Sequence, residues 1–308
     1  MLKNKVNKRF LVVIVGPTAI GKTNISIQLA TMFGSEIISA DSRQFFKEMN
    51  IGTAKPNSEE LFQVKHHFVN NLFISDKYSV GDFEKQSLKF LNTYFQTNQT
   101  AFLVGGSGLY INAVLNGFDA FPEVDENIRE KLNEEYTEYG IEYLQDELSN
   151  CDPEYFLKID KNNPQRLIRA IEVFRSTGIP FSSYRLKEEK SRPFEIIKIG
   201  LNIERAKLYE RINQRVDLMI REGLLEEVKS LVSFKNTNAL QTVGYKELFD
   251  FLDGICDFDE AVELIKRNTR RYAKRQLTWF NKDPEIKWFL NDQPEIIADY
   301  IRLKMIQK

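Results

Sequence analysis

Eight residues combine the types and spacing needed to hold an anion: Gly16-Pro17-Thr18-Ala19-Ile20-Gly21-Lys22-Thr23, directly behind the apolar run 10–15. Glycine at the first and sixth positions, followed by Lys-Thr, fits the G-x-x-x-x-G-K-[ST] phosphate loop. The glycines let the backbone curl until its N–H groups converge on an anion, and the helix starting near Lys22 adds its positive N-terminal end. Lys22 then reaches the terminal phosphates, and the Thr23 hydroxyl binds Mg²⁺. This pattern names a polyphosphate or diphosphate ligand and leaves the chemistry open.

A phosphate loop needs a strand before it and a helix after it. Residues 10–15 are apolar and rich in β-branched types, and 24–33 carry Ile25, Leu29 and Met32 at helical spacing. A second strand at 36–40 ends at Asp41, and a continuous apolar strand at 101–104 runs into Gly105-Gly106-Ser107-Gly108. A short apolar run at 68–69, helices at 80–97, 164–176, 205–222, 224–232, 244–252 and 259–281, and strands at 194–201 and 286–290 complete the pattern. Alternation of this kind predicts a parallel sheet with helices on both faces. In such sheets the ligand lies beyond the carboxyl ends of the strands, where the phosphate loop, Asp41 and Ser107 converge. Asp41 there acts as a general base, or as a Mg²⁺ ligand through water. Residues 122–157 are Glu-rich without a strand pattern and read as a helical insertion; 182–193 are polar and expected to be mobile.

Composition narrows the partners. Hydrophobic residues at 42% and charged residues at 28% suit a soluble globular protein. No apolar run approaches the roughly 20 residues that span a membrane. The basic stretch 1–9 leads straight into the first strand without a small-residue cleavage site, so no signal peptide is read and a cytoplasmic location is expected. Cys151 and Cys256, with no C-x-x-C spacing and only two histidines, argue against structural zinc and a disulfide framework. The formal charge of −1 conceals local asymmetry: 123–154 hold twelve acidic residues against Arg129 and Lys131. In 266–275 there are six basic residues and no acidic one. Lys266, Arg270 and Lys274 recur every four residues, as do Arg267, Arg271 and Arg275, which predicts one broad cationic face suited to a phosphate backbone. Gln165-Arg166-Leu167-Ile168-Arg169 adds two arginines and a glutamine, types that read phosphates or a base edge.

In combination these residues resemble the bacterial tRNA dimethylallyltransferases (tRNA isopentenyltransferases). The matching pieces are the phosphate loop, Asp41-Ser-Arg-Gln44, Met49-Asn-Ile-Gly-Thr-Ala-Lys-Pro56, Gly105-Gly-Ser-Gly-Leu-Tyr110, 163–173, Gln241-Thr-Val-Gly-Tyr-Lys246 and 269–279, in family order. The resemblance implies an α/β, P-loop NTPase-like parallel sheet flanked by helices. Residues 1–120 and 160–308 would form its catalytic core, and 121–159 a small inserted helical domain contacting the tRNA anticodon stem–loop. It implies transfer of the dimethylallyl group from dimethylallyl diphosphate to N6 of the adenosine at tRNA position 37, with Mg²⁺ as cofactor, no membrane partner and a monomeric enzyme.

By the same resemblance Asp41 is the base and Ser107 lies beside the reacting groups, while Gly16 to Thr23 and Arg215 hold the diphosphate. Contacts to tRNA are implied at Asp41, Ser42, Arg43, Gln44, Ser107, Arg129, Gln165, Arg166, Leu167, Ile168 and Arg169. They are implied too at Gln241, Thr242, Val243, Gly244, Tyr245 and Lys246, and the basic helix adds Lys274 and Arg275. The apolar side chains of Phe45, Phe46 and Leu109 either shelter the prenyl tail or simply belong to the core. Three residues depart from the usual pattern: Ser107 stands for threonine, Phe46 for tyrosine and Asn70 for aspartate. A P-loop kinase, an adenylate isopentenyltransferase acting on free AMP, and a non-catalytic RNA-binding protein are the alternatives. The basic helix and Gln165-Arg166 favour tRNA.

Overall fold

β1 (Phe10–Val15) is the spine of the sheet, and all six of its residues are buried. That is what a continuous apolar run requires of a strand covered on both faces. The computed structural model describes residues 8–119, 121–185 and 190–307. Residues 1–7 of the basic N-terminal stretch and 186–189 of the polar 182–193 segment lie outside the described residues.

After the phosphate loop come α1 (Lys22–Met32), β2 (Ile37–Ser39), α2 (Ser58–Gln63), β3 (His66–His67), α3 (Val80–Tyr94), β4 (Thr100–Gly105) and α4 (Gly108–Asn116). A helical stretch follows with α5 (Glu126–Cys151), α6 (Pro153–Phe156) and α7 (Pro164–Thr177). The chain then runs through β5 (Glu195–Asn202), α8 (Arg205–Arg221), α9 (Leu224–Ser230), α10 (Tyr245–Leu252), α11 (Phe258–Phe280), β6 (Lys287–Leu290) and α12 (Pro294–Gln307). Among the described residues the strands form one parallel sheet in the order β3-β2-β4-β1-β5-β6.

Successive side chains of β1 point to opposite faces and enter different cores. Phe10, Val12 and Ile14 pack with Ile25 and Leu29 of α1 and with Ile297 and Ile301 of α12. Leu11, Val13 and Val15 pack with Phe83 and Leu91 of α3 and with Ile111 and Val114 of α4. Each such burial stabilises by roughly 1.5–3 kcal/mol, so the strand ends are held on a rigid floor. A third core, with Met49, Val216, Leu224, Tyr245, Leu248 and Ile265, fastens α8, α9, α10 and α11 to one another.

The chain divides into two compact units, one of Met1–Asn116 with Ser191–Lys308, the other Gly117–Lys190. The second exceeds the expected 121–159 because α7 belongs to it. Leu167, Ile168, Ala170, Ile171 and Val173 of α7 pack against Leu132, Leu144 and Leu148 of α5. An amphipathic stripe does not declare which core it will join. α5 bends at Gly140, where φ is 80°.

Two further segments take definite form. β3 is His66–His67, just ahead of the short apolar run 68–69, and Phe68 (φ 62°) and Asn70 (φ 56°) leave the strand in left-handed conformations. The 182–193 segment is anchored at its far end: Arg192 donates to Glu84 at 2.7 Å and to the Ala113 and Leu115 carbonyls at 2.8 and 3.2 Å. Residues 181–184 form a 3₁₀ turn.

Candidate active site

Parallel pairing brings the ends of three strands to one edge. Val15 is level with Gly105, and Ser39 with Val104, so the phosphate loop, Asp41 and Gly106 leave the sheet side by side. The approach is close: a Cβ on Gly105 would lie 2.2 Å from the Ala40 carbonyl oxygen. The Ser107 amide donates to that same oxygen at 3.2 Å. The Ser107 hydroxyl accepts from the Ser42 amide at 3.0 Å, tying the turn that carries Asp41 to the loop after β4.

The loop itself is shaped by its backbone. Gly21 has φ 95° at the start of α1, and Ala19, a residue with a Cβ, is held at φ 63°. Such conformations are unfavourable for alanine and persist when the surroundings enforce them. The Asn291 amide donates to the Ile20 carbonyl at 2.7 Å, while the Ile20 side chain is core. Lys22 curls back to donate to the Gly16 and Pro17 carbonyls at 3.0 and 2.9 Å. Burial lowers its pKa to about 8; Asp41 opposes the shift and Arg215 adds to it. Arg215, on α8, donates to the Thr18 hydroxyl at 3.3 Å. Burial lowers its pKa too, against the pull of Asp41. Both cations are half-buried, and among the described residues neither makes an ion pair, an arrangement that favours an incoming anion.

Two adjoining cavities meet at Asp41. The first, of about 390 Å³, is lined by Thr18, Ala19, Gly21, Lys22, Thr23, Asp41, Gln44, Thr53, Ala54, Arg211, Arg215, Leu218, Tyr272 and Gln276 among others. The second, of about 580 Å³, shares Thr18, Asp41, Thr53, Arg215 and Tyr272. It adds Ser42, Arg43, Gln241, Thr242, Val243, Gly244, Lys246, Arg271 and Arg275, with Val216 and Met219 as apolar wall. Burial lowers the Arg43 pKa, opposed by Tyr110 and Asp41. Tyr272 is pushed up to about 12 by burial, with the Asp41 charge adding to the shift.

The loop between the cavities is fastened from beneath. One Glu227 carboxylate accepts the Asn50, Ile51 and Gly52 amides at 2.9, 2.8 and 3.0 Å and the Tyr245 hydroxyl at 2.6 Å. Gly52 rests on the Tyr245 ring, where a Cβ would come within 2.5 Å. Gln44 donates to the Thr53 and Ala54 carbonyls at 3.3 and 3.2 Å. Lys55 donates to the side-chain oxygens of Asn50 and Asn70 and to the Phe46 carbonyl.

The residues expected to meet RNA or the prenyl group lie in different surroundings. Tyr245 is fully buried. Phe45 packs among Tyr78, Phe83 and Tyr110, and Phe46 sits in the third core; neither lines the two cavities at Asp41. Leu109 remains exposed and Ser107 lines neither cavity. Within the Gly117–Lys190 unit, Leu167 and Ile168 are core, whereas Gln165 and Arg166 are exposed. Arg129 binds Glu172 through two nitrogens, and Arg169 binds the same carboxylate.

The basic helix also divides. Lys266 pairs with Asp217 at 2.8 Å and Glu263 at 3.0 Å, and Arg270 donates to Asn213 at 2.6 Å. The broad cationic face thereby narrows to Arg267, Arg271, Lys274 and Arg275 in solvent. Arg271, Lys274, Arg275 and Trp279 line a shallow depression on α11. Glu227 and Arg211 fall in none of the motifs, and Gln276 lies in the 269–279 match without a role of its own: a glutamate on an amphipathic helix and a glutamine in a basic one look ordinary until tertiary structure gives them partners.

The parallel sheet, the glycine-shaped loop and the half-buried Lys22 and Arg215 beside it define an enzyme core of the P-loop NTPase-like kind. A family model described as IPP transferase matches residues 44–283, and the chain belongs to that family. The tRNA dimethylallyltransferase of Christiangramia forsetii is 54% identical over 297 residues, 96% of this chain and 98% of its own. The crystal structure of the full-length tRNA isopentenylpyrophosphate transferase from Bacillus halodurans aligns with a TM-score of 0.72 at 39% identity, covering 97% of this chain and 98% of that one. A eukaryotic dimethylallyltransferase acting on tRNA aligns with a TM-score of 0.75 at 25% identity, covering 96% of this chain and 78% of that one.

Proposed function

We propose that the protein prenylates tRNA, transferring the dimethylallyl group of dimethylallyl diphosphate to N6 of adenosine 37 and releasing diphosphate. The observation that carries this reading is Asp41, which lines both cavities where they meet. The phosphate-loop cavity takes the diphosphate and the second takes the target nucleoside, leaving Asp41 between donor and acceptor.

An adenine amine is a weak nucleophile, so a base within hydrogen-bond reach assists it. As the N6–carbon bond forms, the carbon–oxygen bond to diphosphate breaks and its electron pair leaves with the diphosphate. The N6 proton goes to Asp41. Lys22, Arg215 and the loop amides stabilise the charge that grows on the leaving group. Thr53, Ala54 and Leu218 offer the first cavity its less polar wall for the prenyl tail. Ser107 acts through Ser42 by fixing the Asp41 turn. The nucleoside must leave its stack to enter the second cavity, which suits the loop of a tRNA better than a duplex.

Thr23 and Asp41 present a hydroxyl and a carboxylate to the first cavity, an oxygen donor set that fits Mg²⁺. No cluster of three or more His, Cys, Asp or Glu side chains forms a metal cage among the described residues, so the ion would share its coordination with the diphosphate. When bound, it supplies further charge neutralisation to the leaving group. Outside the cavities, Arg271, Lys274 and Arg275 hold the tRNA backbone, and the helical unit, through Gln165 and Arg166, meets the anticodon stem–loop. The enzyme works as a monomer in the cytoplasm, where its tRNA is.

Purified protein with Mg²⁺, dimethylallyl diphosphate and unmodified tRNA should yield N6-isopentenyladenosine and one diphosphate per modified base. A product formed on free AMP but not on tRNA, or a strict requirement for ATP, overturns the reading.

A further inference from the structure

α11 presents solvent-facing cations on one side and a buried amide on the other. Gln276 is only 7% exposed. Its side-chain oxygen accepts the Thr18 amide at 2.8 Å, and its side-chain nitrogen donates to the Gly106 carbonyl at 3.0 Å. Thr18 belongs to the phosphate loop after β1 and Gly106 to the loop after β4. Both bonded groups are main chain, so one side chain clamps backbone to backbone. A primary amide suits this task because it offers an acceptor and a donor side by side. Gly106 makes room for it: a Cβ there would lie 2.2 Å from the Gln276 nitrogen. The next residue carries the restraint onward. Ser107 donates to the Ala40 carbonyl and accepts from the Ser42 amide, on either side of Asp41.

We infer that Gln276, which borders the phosphate-loop cavity, is a positioning residue that acts by fixing the spacing between the diphosphate-binding loop and Asp41. The inference rests on the prenyl-transfer reading above. A misplacement of about 1 Å between reacting groups lowers rate on the order of a hundredfold, so a clamp across this gap controls turnover more than binding.

Gln276→Met keeps the side-chain volume and removes both hydrogen bonds. With tRNA and dimethylallyl diphosphate saturating, its single-turnover rate should fall at least tenfold while the tRNA dissociation constant stays within twofold. Gly106→Ala, which drives a methyl group into the same amide, should reproduce that loss from the other side and covers the case of a Met variant that fails to fold. A rate within twofold of the parent, in whichever of these variants folds, overturns the inference, as does a loss accounted for by weaker tRNA binding alone. A role in stability only would lower the melting temperature and leave the rate of folded enzyme unchanged. If the parent enzyme itself makes no isopentenyladenosine, the functional reading fails separately, and hydrogen exchange at the Thr18 amide still decides the clamp. Exchange at least tenfold faster in a folded variant supports it, and unchanged exchange removes it.

Discussion

Arginine serves opposite ends in the two units. In the Gly117–Lys190 unit, Arg129 and Arg169 share the buried Glu172 carboxylate, and Arg175 grips Glu147 through two nitrogens at 2.7 and 2.6 Å and Glu135 at 2.7 Å. Those carboxylates hold the Arg175 pKa above its usual range. Around the cavities of the other unit, Arg215 has only the Thr18 hydroxyl as a hydrogen-bond partner, and Lys22 only carbonyls, among the described residues. Burial lowers the pKa of both. Paired arginines brace the helices of that unit around an apolar core formed by Leu132, Leu144, Leu148, Leu167, Ile168 and Ile171. The half-buried cations at the cavities, with Asp41 as a nearby charge but no ion pair among the described residues, leave room for an incoming anion. The neutralisation state of a cation therefore separates scaffold from substrate site more sharply than its presence in a sequence.

The comparison can be broken at several points, the largest effect first. Asp41→Ala should lower turnover by roughly 10²–10⁴-fold, the usual worth of a general base, with pyrophosphate and tRNA affinity retained. Turnover left unchanged would remove Asp41 from the reaction. Lys22→Ala should cost on the order of a hundredfold in kcat/KM for dimethylallyl diphosphate, a charge-stabilising contact of the type lost in oxyanion sites. The parent enzyme adds a pH signature: Lys22 loses its proton above about 8 in the free protein, so kcat/KM should fall as pH rises through that value. That alkaline limb should vanish in Lys22→Ala.

In the helical unit the expected effect is on folding. Glu172→Gln leaves two arginines facing a neutral amide and should destabilise by about 2 kcal/mol, the scale for breaking a partly buried pair, read by thermal melting. Activity per folded molecule should stay within a few fold; a collapse of activity without a melting shift would mean these arginines belong to the substrate site. The smallest change is Arg275→Ala, about 1 kcal/mol in tRNA affinity, with the slope of log Kd against log salt reduced by roughly one. A salt slope identical to the parent's would detach α11 from the RNA.

Legibility in the sequence followed the range of the interactions. The phosphate loop is readable because eight contiguous residues contain its whole mechanism, and Asp41 because a short strand aims it. Most strands and helices follow from apolar periodicity, yet β3 is two histidines that pair with β2, with His67 also bound to Glu36 and packed on Phe90. The limits of the helical unit depend on α7, whose apolar face suits either core. Glu227 and Gln276 act on partners far away in sequence, so no local spacing marks them. The cationic face of α11 is visible as a charge run, but only the fold supplies Asp217 and Asn213 to neutralise or occupy part of it.

Glu227 has one more consequence. Three successive amides converging on a carboxylate form a cradle of the same kind as the phosphate loop, a short distance along the same site. With its oxygens engaged by three amides and the Tyr245 hydroxyl, Glu227 fixes the 50–52 turn from α9, and so sets the place of Thr53, a wall residue of both cavities.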